Sequence, residues 1–253
     1  MAWDPAQYLQ FADHRTRPGL ELLARLPNND PKRIVDLGSG TGHLTALLAE
    51  RWPEAEVVGV DSSSEMQARA RAEHPSLVWQ QDNISTWASD EPIDLIFSNA
   101  ALHWLEDHQA LLTHLRSQLA PGGVLAVQMP DNWAAPTHQI PAEILDDGTW
   151  SDDVRQSLMR DRLSEVGAYR RWLEPATVDL WRTTYYQALD GPDPVWNWVI
   201  GSVLSPVLAA LDGADRNRFV EQAKGRYRQA YPADAEGITI LPFSRLFIIA
   251  HLS

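Results

Sequence analysis

The stretch Val35-Asp36-Leu37-Gly38-Ser39-Gly40-Thr41-Gly42 decides the fold. The aliphatic run Arg33–Leu37 leads into it, and Leu44, Leu47, Leu48 and Arg51 lead out at helical spacing. This is the order of a buried strand that turns tightly into a helix. Glycines at such a turn adopt backbone angles closed to other residues and let a ligand lie against bare main chain. Their spacing disfavours two common ligands. A dinucleotide fingerprint, Gly-x-Gly-x-x-Gly, would put its third glycine at position 43, which is histidine, and no Gly-Lys-Ser/Thr follows as a nucleoside triphosphate loop requires.

Outward from the loop, short apolar runs alternate with amphipathic ones. Strands are expected at Arg33–Leu37, Glu56–Val60, Leu77–Gln80, Ile93–Ser98 and Val124–Met129. Helices are expected at Leu44–Trp52, at Ser63–Ala72 behind a capping box Ser62-Ser63-Ser64-Glu65, and at Asp107–Leu119, closed by Pro121-Gly122-Gly123. Two β-rich runs, Thr177–Leu189 and Ile238–Leu252, add strands six and seven. The pattern predicts an α/β protein with a doubly wound, seven-stranded, mostly parallel sheet. Between the late strands, Trp196, Val199 and Val203, then Phe219, Ala223 and Tyr227, form one-sided helical stripes. We therefore expect a single domain with a core of about 30–130, 177–189 and 238–253, and a helical cap of about 1–28, 131–172 and 190–237.

Composition narrows the chemistry. The 253 residues include no cysteine, which removes disulfides, thiolate metal sites and cysteine nucleophiles. The net charge of −13 argues against a surface that tracks nucleic-acid phosphates. No apolar run reaches the about 18 residues of a membrane span, and the amino terminus lacks a secretory pattern, so a cytoplasmic location is expected. The eight histidines show no ligand spacing, so no metal site is expected.

Asp61 lies 19 residues past Gly42, close to the ~20 at which a carboxylate takes a ribose hydroxyl pair. Helix capping alone would explain it about as often; its spacing from the loop favours the ligand reading. Asp36 would repel a phosphate but attract an ammonium or sulfonium group. Together they point to a nucleoside with a cationic tail.

Asp36–Gly42, Asp61, Asp82-Asn83-Ile84, Ile93–Asn99 and Leu119-Ala120-Pro121-Gly122-Gly123 resemble, in order, the motifs of the class I S-adenosylmethionine-dependent methyltransferases. The resemblance implies a Rossmann-like sheet with an antiparallel last strand, S-adenosylmethionine as cofactor and S-adenosylhomocysteine as product. It implies cofactor contacts from Asp36, Gly38, Ser39, Gly40, Asp61, Ser62, Met66, Asp82, Asn83, Ile84, Asn99 and Ala100. A helical methionine such as Met66 is more often core. Amino-methylating nucleic-acid enzymes of the family carry Asn/Asp-Pro-Pro-aromatic where this chain reads Asn99-Ala100-Ala101-Leu102-His103-Trp104.

Further stretches at both ends, among them Tyr8–Pro18, Val127–Trp133, Asp179–Tyr186 and Phe243–Ile248, resemble a branch that esterifies a small tricarboxylate. That resemblance implies acceptor binding by Tyr8, Arg15, Arg17, Trp133, Tyr185 and Arg245, with His103 and Trp104 orienting the reaction. Single arginines are more often surface ion pairs. Alternation along Thr177–Leu189 sets Arg182 on the face opposite Trp181, Thr183 and Tyr185. The rival readings are a methyltransferase for another small acid or for malonyl carrier protein, a nicotinamide-dependent oxidoreductase, and a non-catalytic S-adenosylmethionine-binding protein.

Overall fold

The computed structural model describes residues 16–158, 163–201 and 203–252. Its strands are β1 (Arg33–Leu37), β2 (Glu56–Asp61), β3 (Val78–Gln81), β4 (Ile93–Asn99), β5 (Leu119–Pro130), β6 (Thr177–Leu189) and β7 (Thr239–His251). They form one sheet in the order β3-β2-β1-β4-β5-β7-β6. Pairs β1–β2, β2–β3, β1–β4 and β4–β5 are parallel, and β5–β7 is antiparallel. The expected α/β class and mostly parallel sheet are therefore observed. Strand order reverses between β1 and β4, and at such a switch point the carboxyl ends of the strands open a crevice.

The helices are α1 (Arg17–Arg25), α2 (His43–Arg51), α3 (Ser64–Glu73), α4 (His108–Ser117), α5 (Pro136–Leu145), α6 (Asp152–Ser157), α7 (Val166–Trp172), α8 (Pro194–Val199), α9 (Ser205–Ala210) and α10 (Gly213–Ala230). None of the described helices is long and apolar enough to cross a membrane. Contacts divide the chain into two units: unit 1 takes the described residues of 1–130, 164–183 and 245–253, and unit 2 those of 131–163 and 184–244. Unit 2 has its own core, in which Ile144, Trp196, Val199, Leu204, Phe219 and Tyr227 are buried together.

Two helix ends depart from expectation, and the described part of 1–28 and the segment 164–172, read as cap elements, group with unit 1. The physical reason is packing: α1 buries Leu20, Leu22 and Leu23 and lies on β5, while buried Tyr169 of α7 shares a 2.9 Å hydrogen bond with His108 of α4. Helix α3 is capped by Ser63, whose Oγ accepts from the Met66 N–H at 3.3 Å. The third helical position is thus methionine, and the reciprocal glutamate of a capping box is missing. Finally, α4 stops at Ser117, before Pro121-Gly122-Gly123. Leu119 already pairs with Ile93, and the proline and glycines bend β5, with Gly122 at φ +78° and the ladder slipping between Ile93 and Leu95.

Candidate active site

The loop from β1 to α2 is pinned to β2. The Gly38 and Ser39 N–H groups donate to the Val60 carbonyl at 2.8 and 3.0 Å. All three loop glycines have positive φ, at +80°, +55° and +86°, but their surroundings differ. A Cβ on Gly38 would come 2.2 Å from that of Ala101, and one on Gly42 would come 2.2 Å from the Trp79 ring, which also fills the space over Gly59. A Cβ on Gly40 would meet nothing within 4 Å. Gly38 and Gly42 thus serve packing as well as backbone geometry, whereas Gly40 presents bare main chain to an open space.

Asp61, at the end of β2, faces this loop. Its Oδ2 accepts from the Gly40 N–H at 2.9 Å and its Oδ1 from the Ser63 N–H at 2.9 Å. A carboxylate offers about four acceptor positions, so each oxygen keeps room for one further donor. That is the geometry a pair of vicinal hydroxyls requires.

Asp36 lies deeper. Its side chain is 2 % exposed, and its Oδ2 accepts from the Thr45 hydroxyl at 2.6 Å. Burial pushes the carboxyl up to about 7, against the pull of the Thr45 hydrogen bond, and the charge of Asp61 pushes the same way. A cation near the loop would favour ionisation of Asp36. Its influence is electrostatic, from beneath the loop.

Around β3, Asp82 is partly satisfied by its neighbours: Oδ1 accepts from the Asn83 N–H at 2.7 Å and Oδ2 from Gln80 at 3.1 Å. The Asn83 side chain accepts from Ser85, at 3.0 Å from its N–H and 2.9 Å from its hydroxyl. Ile84 comes close to Gly38, with its Cδ1 3.5 Å from where a Cβ would lie. Ser62 is exposed and Met66 is half-buried on α3, so neither belongs to the closed core.

At the end of β4 the chain bends sharply. Ala100, at φ +54°, donates its N–H to the Gln128 carbonyl at 2.9 Å. Asn99 Oδ1 and the Ser39 hydroxyl are buried, with no hydrogen-bond partner among the described residues. The His103 and Trp104 rings lie 4.8 Å apart, tilted by 43°, in a 3-10 turn spanning Leu102–Trp104, and Trp104 is largely exposed.

The described acceptor candidates fall in both units. Tyr8 and Arg15 lie outside the described residues. In unit 1, Arg17 is exposed at the start of α1 and Arg245 is buried on β7. In unit 2, Trp133 packs edge-on against His138 at 5.0 Å and Tyr185 is buried. The alternation read along β6 holds: Arg182 and Tyr186 are exposed while Trp181 and Thr183 are half-buried. Unit 2 also holds a pocket of about 320 Å³ lined by Trp196, Lys224, Tyr227 and Arg228 among others. Both of its cations pair with Asp193, Arg228 at 2.6 Å and Lys224 at 3.3 Å.

Comparison with known proteins places the chain. A methyltransferase-domain family matches residues 8–175. Proteins named trans-aconitate 2-methyltransferase from Methylobacterium nodulans and Azoarcus sp. are each 43% identical, over 98% of this chain and 97% and 98% of theirs. One from Escherichia coli is 42% identical over 98% of this chain and 97% of its own length. The chain belongs to the trans-aconitate 2-methyltransferase family. Solved structures similar to it in fold include the YcgJ protein of Bacillus subtilis (TM-score 0.59, 15% identity, 94% of this chain and 98% of that one). Coclaurine N-methyltransferase is another (TM-score 0.52, 14% identity, 97% of this chain and 71% of that one).

S-adenosylmethionine is the methyl donor of methyltransferases of this family, and the residues present fit it. The open main chain at Gly40, the spare acceptor positions on Asp61, the buried Asp36 carboxyl, which a nearby cation would ionise, and the unpaired Asn99 oxygen suit a cationic nucleoside. Among the described residues no group of three or more histidines, aspartates and glutamates is placed to hold a metal. Two residues that shape this trans-aconitate 2-methyltransferase family site escaped the sequence reading. Trp79 wedges against Gly42 and Gly59, and a clue lay in an aromatic on a strand beside a glycine-bearing one. Gln128 is the lone polar residue in the buried apolar run Val124–Met129.

Proposed function

We propose that this protein transfers the methyl group of S-adenosylmethionine to a carboxylate of trans-aconitate, giving the monomethyl ester and S-adenosylhomocysteine. The observation that carries this reading is the 42–43% identity to proteins of that name along 98% of the chain. When bound, the donor supplies a sulfonium-activated methyl carbon. A carboxylate oxygen displaces it in line, the carbon–sulfur electrons pass to sulfur, and the acceptor loses one negative charge.

The chain's own residues then have defined tasks. Asp61 takes the ribose hydroxyls, Gly38 to Gly40 receive the amino-acid end on bare backbone, and Asp36 stabilises its ammonium. Asp82, Asn83 and Ile84 border the adenine, with Ser62 and Met66 beside them, and Asn99-Ala100 lies by the sulfonium. A carboxylate with a pKa near 4 is ionised at neutral pH, so no residue has to remove a proton. Catalysis is alignment and exclusion of water, with orientation by His103 and Trp104. The trianion is held by Arg15, Arg17 and Arg245, since planar guanidinium groups match carboxylates in pairs, and by Tyr8, Trp133 and Tyr185. A cytoplasmic location without nucleic-acid partners accords with this reading and with the net charge of −13.

Methyl transfer assayed across trans-aconitate, cis-aconitate, citrate, isocitrate and malonyl carrier protein tests it. Ester formation on trans-aconitate at the highest kcat/KM is expected. Activity confined to the carrier protein would replace the acceptor.

A further inference from the structure

Gln128 on β5 is fully buried, and neither its carboxamide oxygen nor its nitrogen has a hydrogen-bond partner among the described residues. A buried amide left unpaired is costly, and an apolar residue of the same length would avoid the cost. The strand otherwise follows that rule: Val124, Leu125, Ala126, Val127 and Met129 are buried and apolar. Such an exception calls for a partner that arrives later.

The sheet register shows what lies around the amide. Gln128 stands opposite Asn99 on β4 and Phe247 on β7. Residues directly opposite on paired strands share a face, so the amides of Asn99 and Gln128 are neighbours. The Asn99 oxygen is likewise without a partner among the described residues. Helix α1 covers this face at Gly19, where a Cβ would lie 3.2 Å from the Asn99 Cγ. Two residues further toward the strand end, Pro130 pairs with Arg245. Alternate residues along a strand share a face, which sets the buried Arg245 on the same side as Gln128. One face of unit 1 thus gathers two under-satisfied amides and a guanidinium at the carboxyl ends of β4 and β5.

We infer that Gln128 contacts the methyl acceptor, donating from its amide nitrogen to an acceptor carboxylate beside Arg245. An ionised carboxylate only accepts hydrogen bonds, so the NH2 end is the one that faces it. The contact makes Gln128 a specificity residue: an acid lacking a carboxylate at that place leaves the amide buried and unpaired. This inference rests on the carboxylate-acceptor reading above.

The test compares wild type with Gln128→Met, which keeps the side-chain length and removes the hydrogen bonding, and with Gln128→Glu, which sets a carboxylate against the acceptor. Three readouts are taken: melting temperature without ligand, S-adenosylhomocysteine affinity, and steady-state kinetics with trans-aconitate, cis-aconitate, citrate and succinate. Gln128→Met is expected to melt no lower than wild type and to bind S-adenosylhomocysteine within about twofold. Its KM for the preferred acid should rise about 10- to 100-fold, with a smaller change in kcat, and Gln128→Glu should lose more. A lower melting temperature in Gln128→Met with unchanged KM would make the amide a part of the fold and overturn the inference. Wild-type activity on trans-aconitate with unchanged Gln128→Met kinetics would overturn it alone, leaving the acceptor reading intact. If wild type prefers another of the acids and Gln128→Met still raises that KM, trans-aconitate falls and Gln128 stands. If none of the acids is methylated, both fall.

Discussion

The two halves of the strand-end crevice are built on opposite principles. On the β1–β2 side the carboxyl groups are paired within the protein, Asp61 with Gly40 and Ser63, Asp36 with Thr45, Asp82 with Asn83 and Gln80, and the Ser39 hydroxyl is the exception. On the β4–β5 side Asn99 Oδ1 and both polar atoms of Gln128 are buried without partners among the described residues. A pre-paired site keeps its shape with or without a ligand, so little ordering is lost on binding. An unpaired donor raises the energy of the empty state and discriminates sharply among ligands, because only one with an acceptor at the right place satisfies the Gln128 amide nitrogen. The first half suits a donor common to many enzymes, the second an acceptor peculiar to one.

The largest expected effect breaks the first half. Gly42→Ala drives a methyl into the Trp79 ring at a positive φ, and should lower unfolding free energy by about 3 kcal/mol or more, measured by urea denaturation. Pairing it with Trp79→Leu should cost less than the two single effects added. Strict additivity would mean that the ring is not what excludes a side chain at Gly42.

Next in size is Asp61→Ala, which removes the acceptor positions reserved for the sugar. S-adenosylhomocysteine affinity, read by calorimetry, should fall by about 1–3 kcal/mol, and unchanged affinity would strip Asp61 of its role.

Asp36 adds a pH dependence. Its carboxyl, raised to about 7 in the folded protein from 3.8, favours the neutral form. Its contribution to stability is therefore fully present below about pH 4 and is lost as pH rises toward 7. Ligand affinity runs the other way, since an ammonium is attracted only by the ionised carboxylate. Binding of S-adenosylhomocysteine should tighten between pH 6 and 8, and Asp36→Asn should flatten both profiles. The smallest effect is Ser63→Ala, which removes the cap of α3. A loss of about 1 kcal/mol in stability, with donor affinity barely altered, is expected from thermal melts.

Much of this was legible in the sequence where the signal is local. Strands β1 and β6 span the residues that the aliphatic and β-rich runs predict, Arg33–Leu37 and Thr177–Leu189, because such a run is a property of contiguous residues. That Asp61 stands beside the glycine loop was legible from its spacing along the chain. The depth of Asp36 was not, since Thr45 and the surrounding burial arrive through tertiary packing. Nor was the Asn99–Gln128 pairing, which joins strands across the whole of α4. The unit to which α1 and α7 belong depended on which partner offered the better apolar surface, and that too is invisible along the chain.

Ala101 rests its methyl where a side chain on Gly38 would otherwise be. The loops leaving β1 and β4 are therefore cut to fit each other like a key and its wards. Enlarging residue 101 to retarget the enzyme toward a new acid would disturb the grip on the methyl source as well, so new specificities are reached more readily through Gln128 and Arg245 than through the bend itself.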